Sequence, residues 1–341
     1  MKNTLLVTFF IYFLCGCTSR QSHNLFDGEI IRLNAPFDFT EIEPEELEID
    51  VMGGITAHVV DSFLMVLNSS ESDYLISLFR LADRSRIGNY IRTGRGPNEF
   101  MGIDYDGQFD TRSGEVKIWF GTYPENKLVL FNASQSISEN KTIIDREILL
   151  DHPQTNTSKN WFVVNDSIIL AKEILNEKRL FVYNYQDNNI TTTYPLYTNK
   201  GLDMNIYFGA TIFNIAENKW AQAMMLFDQI NLYDLKTKSG KSIRMSDDNR
   251  DPEKLEVTQP FEMDLFYRDA FSAHSYFFAT YLPNENNYTD IRQFDWEGNL
   301  LNIFRVNKRL PYITFDEKNK NIYALDANER LFKIDLASYL K

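Results

Sequence analysis

Apolar and polar residues alternate along this chain in short runs that end on an aromatic or aliphatic residue followed by a polar one. The runs are YLISLFR, KLVLFN, RLFVYN, INLYD, DIRQFD and RLFKID, and their anchors Phe79, Phe131, Tyr183, Tyr233, Phe294 and Ile334 stand 52, 52, 50, 61 and 40 residues apart. Alternation with period two is the mark of a strand with one buried face, and repetition at a fixed spacing is the mark of a repeat architecture. A second apolar run precedes each anchor: SFLMVLN (62–68), EVKIWF (115–120), DSIILAKE (166–173), KWAQAMMLF (219–227), HSYFFATYL (274–282) and NIYALD (321–326). A turn and a third run follow most of them, as in WEGNLLNIFRV, where Glu297-Gly298-Asn299 signals a tight turn. Three or four short antiparallel strands per period, with no amphipathic helix expected anywhere, is the layout of a β-propeller blade.

The expected fold is therefore all-β, a six-bladed β-propeller over residues 27–341 closed by an N-terminal strand that completes the last blade. The sixth unit stops at RLFKIDLASYLK, directly after its third strand, while GEIIRLN at 28–34 is a lone strand with no blade of its own. Pairing the two would pin the ends of the ring together and cover open edges. A β-sandwich or an all-β two-domain protein is the alternative.

Between the outer strand of the first unit and the inner strand of the second lies TGRGPNEF at 93–100. It reads as a crossing from rim to centre over one face of the disc. Gly94 and Gly96 are expected to supply backbone angles closed to other residues and a close approach to neighbouring chain. Pro97 stiffens the loop, and Phe100 can plug between blades. The run GRGPNEF…GIDYD, with GEVKIWF and NKLVLFN after it, resembles the repeat of the NHL-like and TolB-like six-bladed propellers, and most of all an uncharacterised bacterial lipoprotein branch of that group. Their blade boundary reads roughly Gly-x-Gly-Pro-Gly-Glu-Phe. Here Asn98 stands where glycine is usual, a residue that tolerates positive φ. The resemblance covers residues 27–341 in layout, with the Gly-Pro signature clear once.

The first residues carry a different signal. Lys2 precedes the apolar stretch LLVTFFIYFL (5–14), too short for a membrane span and laid out as a secretory signal. Leu14-Cys15-Gly16-Cys17 resembles the bacterial lipobox, which implies that residues 1–16 are removed, that Cys17 is lipidated, and that residues 17–26 are a polar tether. An ordinary signal peptide with two incidental cysteines is the alternative. The expected location is the cell envelope, on the outer membrane at its periplasmic side or surface, with the membrane touched through the lipid alone. Both cysteines lie in this segment, so the body after Cys17 holds no internal disulfide and must rest on core burial, for which 43% hydrophobic and 14% aromatic content suffice. A net charge of −13 without clustered Lys or Arg argues against a nucleic-acid surface.

Catalytic constellations are sparse. The chain has no Gly-x-Ser-x-Gly and no His-Glu-x-x-His, and His23, His58, His152 and His274 are scattered without ligand spacing. KSGKS at 238–242 lacks the upstream glycine of a phosphate loop and reads as a hairpin turn. SDDNRDPE (246–253) clusters Asp247, Asp248, Asp251 and Glu253 without the glycine and distal glutamate of a calcium loop, and DYDGQFD (104–110) fails the same spacing, so a bulge or turn at Gly107 is expected. Six-bladed propellers of the lactonase-like kind hold an axial calcium through acidic and amide side chains from several blades, and an alternative is that Asp104, Asn214 and Asp326 converge in that way here. For ligand binding the candidates are Arg95, Asn98 and Glu99 at the crossing, where Arg95 could present a planar fork to an anion, or where Glu99 and Arg95 could simply satisfy the loop. The long crossings 197–210 and 246–267 add Tyr197, Tyr207, Phe208, Phe261, Phe266 and Tyr267, as binding aromatics or as seals between blades. The expected function is a non-catalytic module binding an envelope protein or a small ligand on the loop face, with no cofactor. The alternative is a calcium-assisted hydrolase or lyase of the lactonase-like type.

Overall fold

A computed structural model describes residues 25–34, 36–51, 53–175, 178–245, 250–255 and 263–340. Cys17, the leader, His23, Asp247, Asp248 and Phe261 lie outside the described residues. Three N-terminal strands, β1 (Glu29–Arg32), β2 (Thr40–Glu41) and β3 (Glu45–Leu47), precede the first blade of β4 (Gly54–Val60), β5 (Phe63–Asn68), β6 (Tyr74–Arg80) and β7 (Arg86–Arg92). Blade two holds β8 (Gly102–Asp104), β9 (Phe109–Asp110), β10 (Lys117–Tyr123), β11 (Lys127–Asn132) and β12 (Ile144–Leu149). Blade three runs through β13 (Ser158–Val163), β14 (Ile168–Glu173), β15 (Arg179–Asn184) and β16 (Asn189–Pro195), and blade four through β17 (Gly209–Asn214), β18 (Lys219–Met224), β19 (Gln229–Asp234) and β20 (Ser239–Arg244). Blade five comprises β21 (Tyr267–Ser272), β22 (Tyr276–Tyr281), β23 (Thr289–Asp295) and β24 (Leu300–Val306); blade six has β25 (Tyr312–Asp316), β26 (Asn321–Leu325) and β27 (Leu331–Asp335). Each blade is an antiparallel meander of its own sheet, so six sheets stand around an axis.

The six anchors all fall on the third strand of a blade, and all are buried. Blades stack face to face, so the middle strands bury both faces and read largely as apolar runs: β6 is buried from Leu75 to Phe79 and β14 from Ile169 to Ala171, with Lys172 and Glu173 buried at its end. The outer strand β16, with one face to solvent, alternates instead. Cores form between blades. Leu78, Tyr90, Ile118, Phe120 and Phe131 join one and two, while Phe278, Phe304, Ile313, Phe315 and Phe332 join five and six. Phe100 is buried in the first of these, as its place in the crossing suggested. Among the described residues one short α-helix departs from the all-strand expectation: α1 (Ala133–Glu139) starts on Asn132, whose side chain accepts from the Gln135 amide, and stops on Asn140 at φ 51°. Seven residues are too few to write a 3.6-residue period, and the caps alone define it.

The ring is closed by an N-terminal strand completing blade six, but the strand is not the expected one. Glu45–Leu47 of β3 pairs antiparallel with β27, Leu47 opposite Leu331. GEIIRLN supplies β1, which lies parallel to β20 as a fifth strand on blade four, Ile31 opposite Ile243, and β2 adds in the same parallel sense to β24 of blade five. The N-terminal segment is thus a strap across the outer edges of three consecutive blades. Leu25 and Phe26, expected in the tether, are buried. Phe26 stacks 5.9 Å from Trp220 and meets Tyr197 and Tyr233 edge-on at 5.8 and 6.4 Å. Next to it Gly28 (φ +144°) crosses Gly240 so closely that a Cβ on Gly28 would sit 2.0 Å from the Gly240 carbonyl oxygen, and one on Gly240 would sit 2.3 Å from that of Asp27. Further along, the Arg305 guanidinium is held between Phe39 (3.8 Å) and Tyr288 (4.0 Å) while pairing with Asp290 at 2.7 and 2.8 Å.

Candidate functional site: the axial cavity

The inner strands β4, β8, β13, β21 and β25 begin on the face crossed by GRGPNEF, and around their first residues opens a cavity of about 830 Å³. Its walls come from blade one (Thr56, His58, Asn68), blade two (Asp104, Tyr105, Asp106, Tyr123), blade three (Lys159, Asn160, Trp161), blade five (Asp269) and blade six (Tyr312). Ile55, Tyr123 and Tyr312 are large side chains left exposed there (51%, 47% and 38%), an unusual concession for three residues lining one cavity.

Irregular backbone makes the site. The inner strand of blade two breaks between Asp104 and Phe109, with Gly107 at φ +82°, as DYDGQFD suggested. In blade three a register shift between Lys159 and Phe162 goes with Asn160 at φ 54°. Bulges of this kind re-aim side chains, and here they turn blade two onto its neighbour. Asp106 accepts from Asn160 Nδ2 (3.0 Å) and from the Trp161 amide (2.8 Å), and the Gln108 side chain exchanges bonds with both backbone groups of Val163 (2.6 and 2.9 Å). Asp269 does the same service between blades five and six: one oxygen caps the Ala270 amide and the other accepts from Ile313 N at 2.9 Å. Thr314 accepts from Val59 N across the six–one junction.

Burial sets the electrostatics. It pushes the Asp106 carboxyl up to about 6 and Asp269 up to about 7, against the opposing pull of their amide donors. His58, bonded to Thr56 and edge-on to Tyr105 at 4.8 Å, is driven down to about 4 and is neutral at ordinary pH. Asp104 is raised by burial and partly restored by Lys159.

The residues singled out from sequence lie elsewhere. Arg95 and Asn98 are exposed on the crossing, with Asn98 at φ 57°, and Glu99 accepts from Gly96 N at 2.9 Å. Gly94 and Gly96 do not take positive φ, contrary to expectation. They are small because Cβ atoms would meet the Glu99 carboxylate at 2.2 and 2.8 Å. Tyr207 is buried, donating to the Asn199 carbonyl at 2.7 Å, and Phe208 beside it is half-buried. Half-buried Phe266 lies under Arg250 at 4.5 Å. Tyr267 is fully buried, donating to Asp228 (2.9 Å) and accepting from Arg292 (2.5 Å), while Arg292 pairs with Asp228 at 2.7 Å, all between blades four and five. None of these seven lines the cavity. Of the conceivable calcium ligands only Asp104 does. Asn214 binds the His274 carbonyl and the Glu217 amide, and Asp326 binds Arg330 and the Asn328 amide. In the acidic loop, Asp251 pairs with Lys254 and Glu253 accepts from Asn199. Among the described residues no group of three or more His, Cys, Asp and Glu is placed to hold a metal.

These six radial sheets around a polar axial cavity define a six-bladed β-propeller. Two bacterial structures share its fold: a member of the DUF4221 family from Bacteroides vulgatus ATCC 8482 (13% identity, 87% of this chain and 98% of that one, TM-score 0.56), and a protein of Bacteroides fragilis NCTC 9343 described as a candidate exported protein (11% identity, 89% and 98%, TM-score 0.54). At such identities the likeness bears on the fold alone. No family model matches the chain, and no curated protein matches it.

Proposed function

We propose that this protein is an exported, lipid-anchored propeller of the TolB-like and NHL-like kind that binds a small polar ligand in its axial cavity without transforming it. One observation carries this reading: the cavity is roomy and open, yet Asp106 and Asp269, its two most perturbed carboxyls, have both oxygens committed to holding blades together. Neither of these two is free to reach a substrate as general acid or base, and a calcium site needs several free oxygens where, among the described residues, Asp104 supplies the one uncommitted carboxylate of the wall. A pocket of this size with aromatic lips and a few polar groups suits a bound small molecule. The description of the Bacteroides fragilis neighbour as a candidate exported protein supports export. With the strap fixed at Phe26, a lipid on Cys17 would hold the rim within about 30 Å of the bilayer, the reach of the residues between.

The test is affinity selection of small molecules from a cell extract by the mature chain, read by mass spectrometry, beside Gly121→Leu. Gly121 lines the cavity, and a Cβ there meets only ordinary contacts, Trp161 at 3.8 Å and Leu128 at 4.0 Å, so the larger side chain fills space without breaking the sheet. A compound retained by the native protein and lost in the variant is expected. Equal retention by both, or none by either, would overturn the reading.

A further inference from the structure

Most polar groups of the axial cavity are already spent on the protein itself. The amides of Asn68, Asn126 and Asn160 donate to Tyr74, Leu150 and Asp106, Lys127 pairs with Glu147 at 2.8 Å, and His58 is bonded to Thr56. Two charged side chains in the wall are not: among the described residues neither the Asp104 carboxylate nor the Lys159 ammonium makes a hydrogen bond or ion pair with the protein. They stand on the adjoining blades two and three. Both are solvent-exposed in the lining of one cavity, with Asp106 between the same two strands, so two opposite charges that make no ion pair face the open space there.

We propose that this space takes the head group of a free α-amino acid, its ammonium on Asp104 and its carboxylate on Lys159, with an apolar or aromatic side chain against Tyr105, Tyr123 and Tyr312. The proposal rests on the reading of the cavity as a ligand site and names its ligand class. A zwitterion matches one free carboxylate and one free ammonium, and it replaces their hydration with charge-assisted bonds. A simple anion would meet a single cation with a carboxylate beside it, and a sugar would find the amides of Asn68, Asn126 and Asn160 occupied. The cavity's 830 Å³ leaves ample room for a large side chain.

Isothermal titration of the mature protein with L-phenylalanine, L-phenylalaninamide and N-acetyl-L-phenylalanine reads each charge in turn, with maltotriose as a neutral probe. Capping either end is expected to weaken binding roughly ten- to a hundredfold, the worth of a charged hydrogen bond. Asp104→Asn should abolish the preference over the N-acetyl form alone, and Lys159→Met the preference over the amide alone, each with an unchanged melting curve. Equal binding of capped and free forms overturns the proposal, as does binding of none. Binding of maltotriose but not phenylalanine, lost in Gly121→Leu, overturns the ligand class while leaving the cavity reading intact.

Discussion

Asp269 caps two backbone amides on different blades, and so it is both needed and costly where it stands. Burial outweighs the two donors and pushes it from 3.8 up to about 7. The folded protein therefore holds a proton that the unfolded chain has released over that whole span, and the stability Asp269 contributes is full below about pH 4 and declines as pH rises to about 7. Asp106 acts in the same sense up to about 6. His58 opposes them: its folded value near 4 lies below the ordinary 6.5, so the unfolded state takes up the extra proton on acidification, and its contribution is lost as pH falls from 6.5 to 4. Urea unfolding of the native protein should give a free energy that falls between pH 6 and pH 7, where Asp269 and the last of the Asp106 titration together outweigh the opposing one of His58. In Asp269→Asn that slope should flatten, whatever the variant's overall stability, and an unaltered slope would refute the assignment. This role was not legible in the sequence. Asp106 sits in a stretch that stands out only as a failed calcium loop, because its partners Asn160 and Trp161 are more than fifty positions away.

At the scale of elements, the strap joins by strands that the blades do not need. Blades four and five already have four strands each when β1 and β2 arrive. What fixes the strap is one fully buried ring, Phe26, and the close crossing of Gly28 and Gly240. Removing a buried phenylalanine from a closed core costs about 3–5 kcal/mol, because the cavity cannot collapse. In Phe26→Ala the strap can leave instead, which caps the loss at its own docking energy. Hydrogen exchange is expected to accelerate at Ile30–Arg32 and Ser242–Arg244 while blades one to three keep their protection; loss of protection throughout would show that the strap is integral to the core. The contrast with the blades explains what the pattern of residues could reveal. Middle strands bury both faces and so must be largely apolar, which makes them visible. Strap strands bury little, β2 pairs over two residues and β3 buries only Leu47, so their sequences are under almost no patterning constraint. The missing strand of blade six could be counted, but which segment filled it could not be read from periodicity, and GEIIRLN, the more apolar candidate, went to blade four.

For the whole molecule, closure falls to β3. A six-bladed ring has one junction where first and last blades must be joined through the termini, and here three residues do it. Leu47 lies with Val51, Val59, Leu325 and Leu331 in the core between blades six and one, while Glu45 reaches Arg84 of blade one at 2.8 Å and Glu46 reaches Arg330 of blade six at 3.6 Å. The exposed pairs add little, so the hydrophobic insertion carries the joint. Leu47→Asp places an unpaired charge in that core at a cost of roughly 3 kcal/mol or more. The melting point should fall by several degrees and the transition broaden as blade six frays from blade one. Deleting residues 25–41 removes far more chain, yet it leaves all four strands of each blade and the β3 clasp in place, so a single sharp transition should remain. Scanning calorimetry of the two variants decides the matter: the small change must be the more damaging one. If the deletion instead broadens the melt and Leu47→Asp does not, the ring is held by its outer strap, and the pairing of β3 with β27 is a consequence of closure and not its cause.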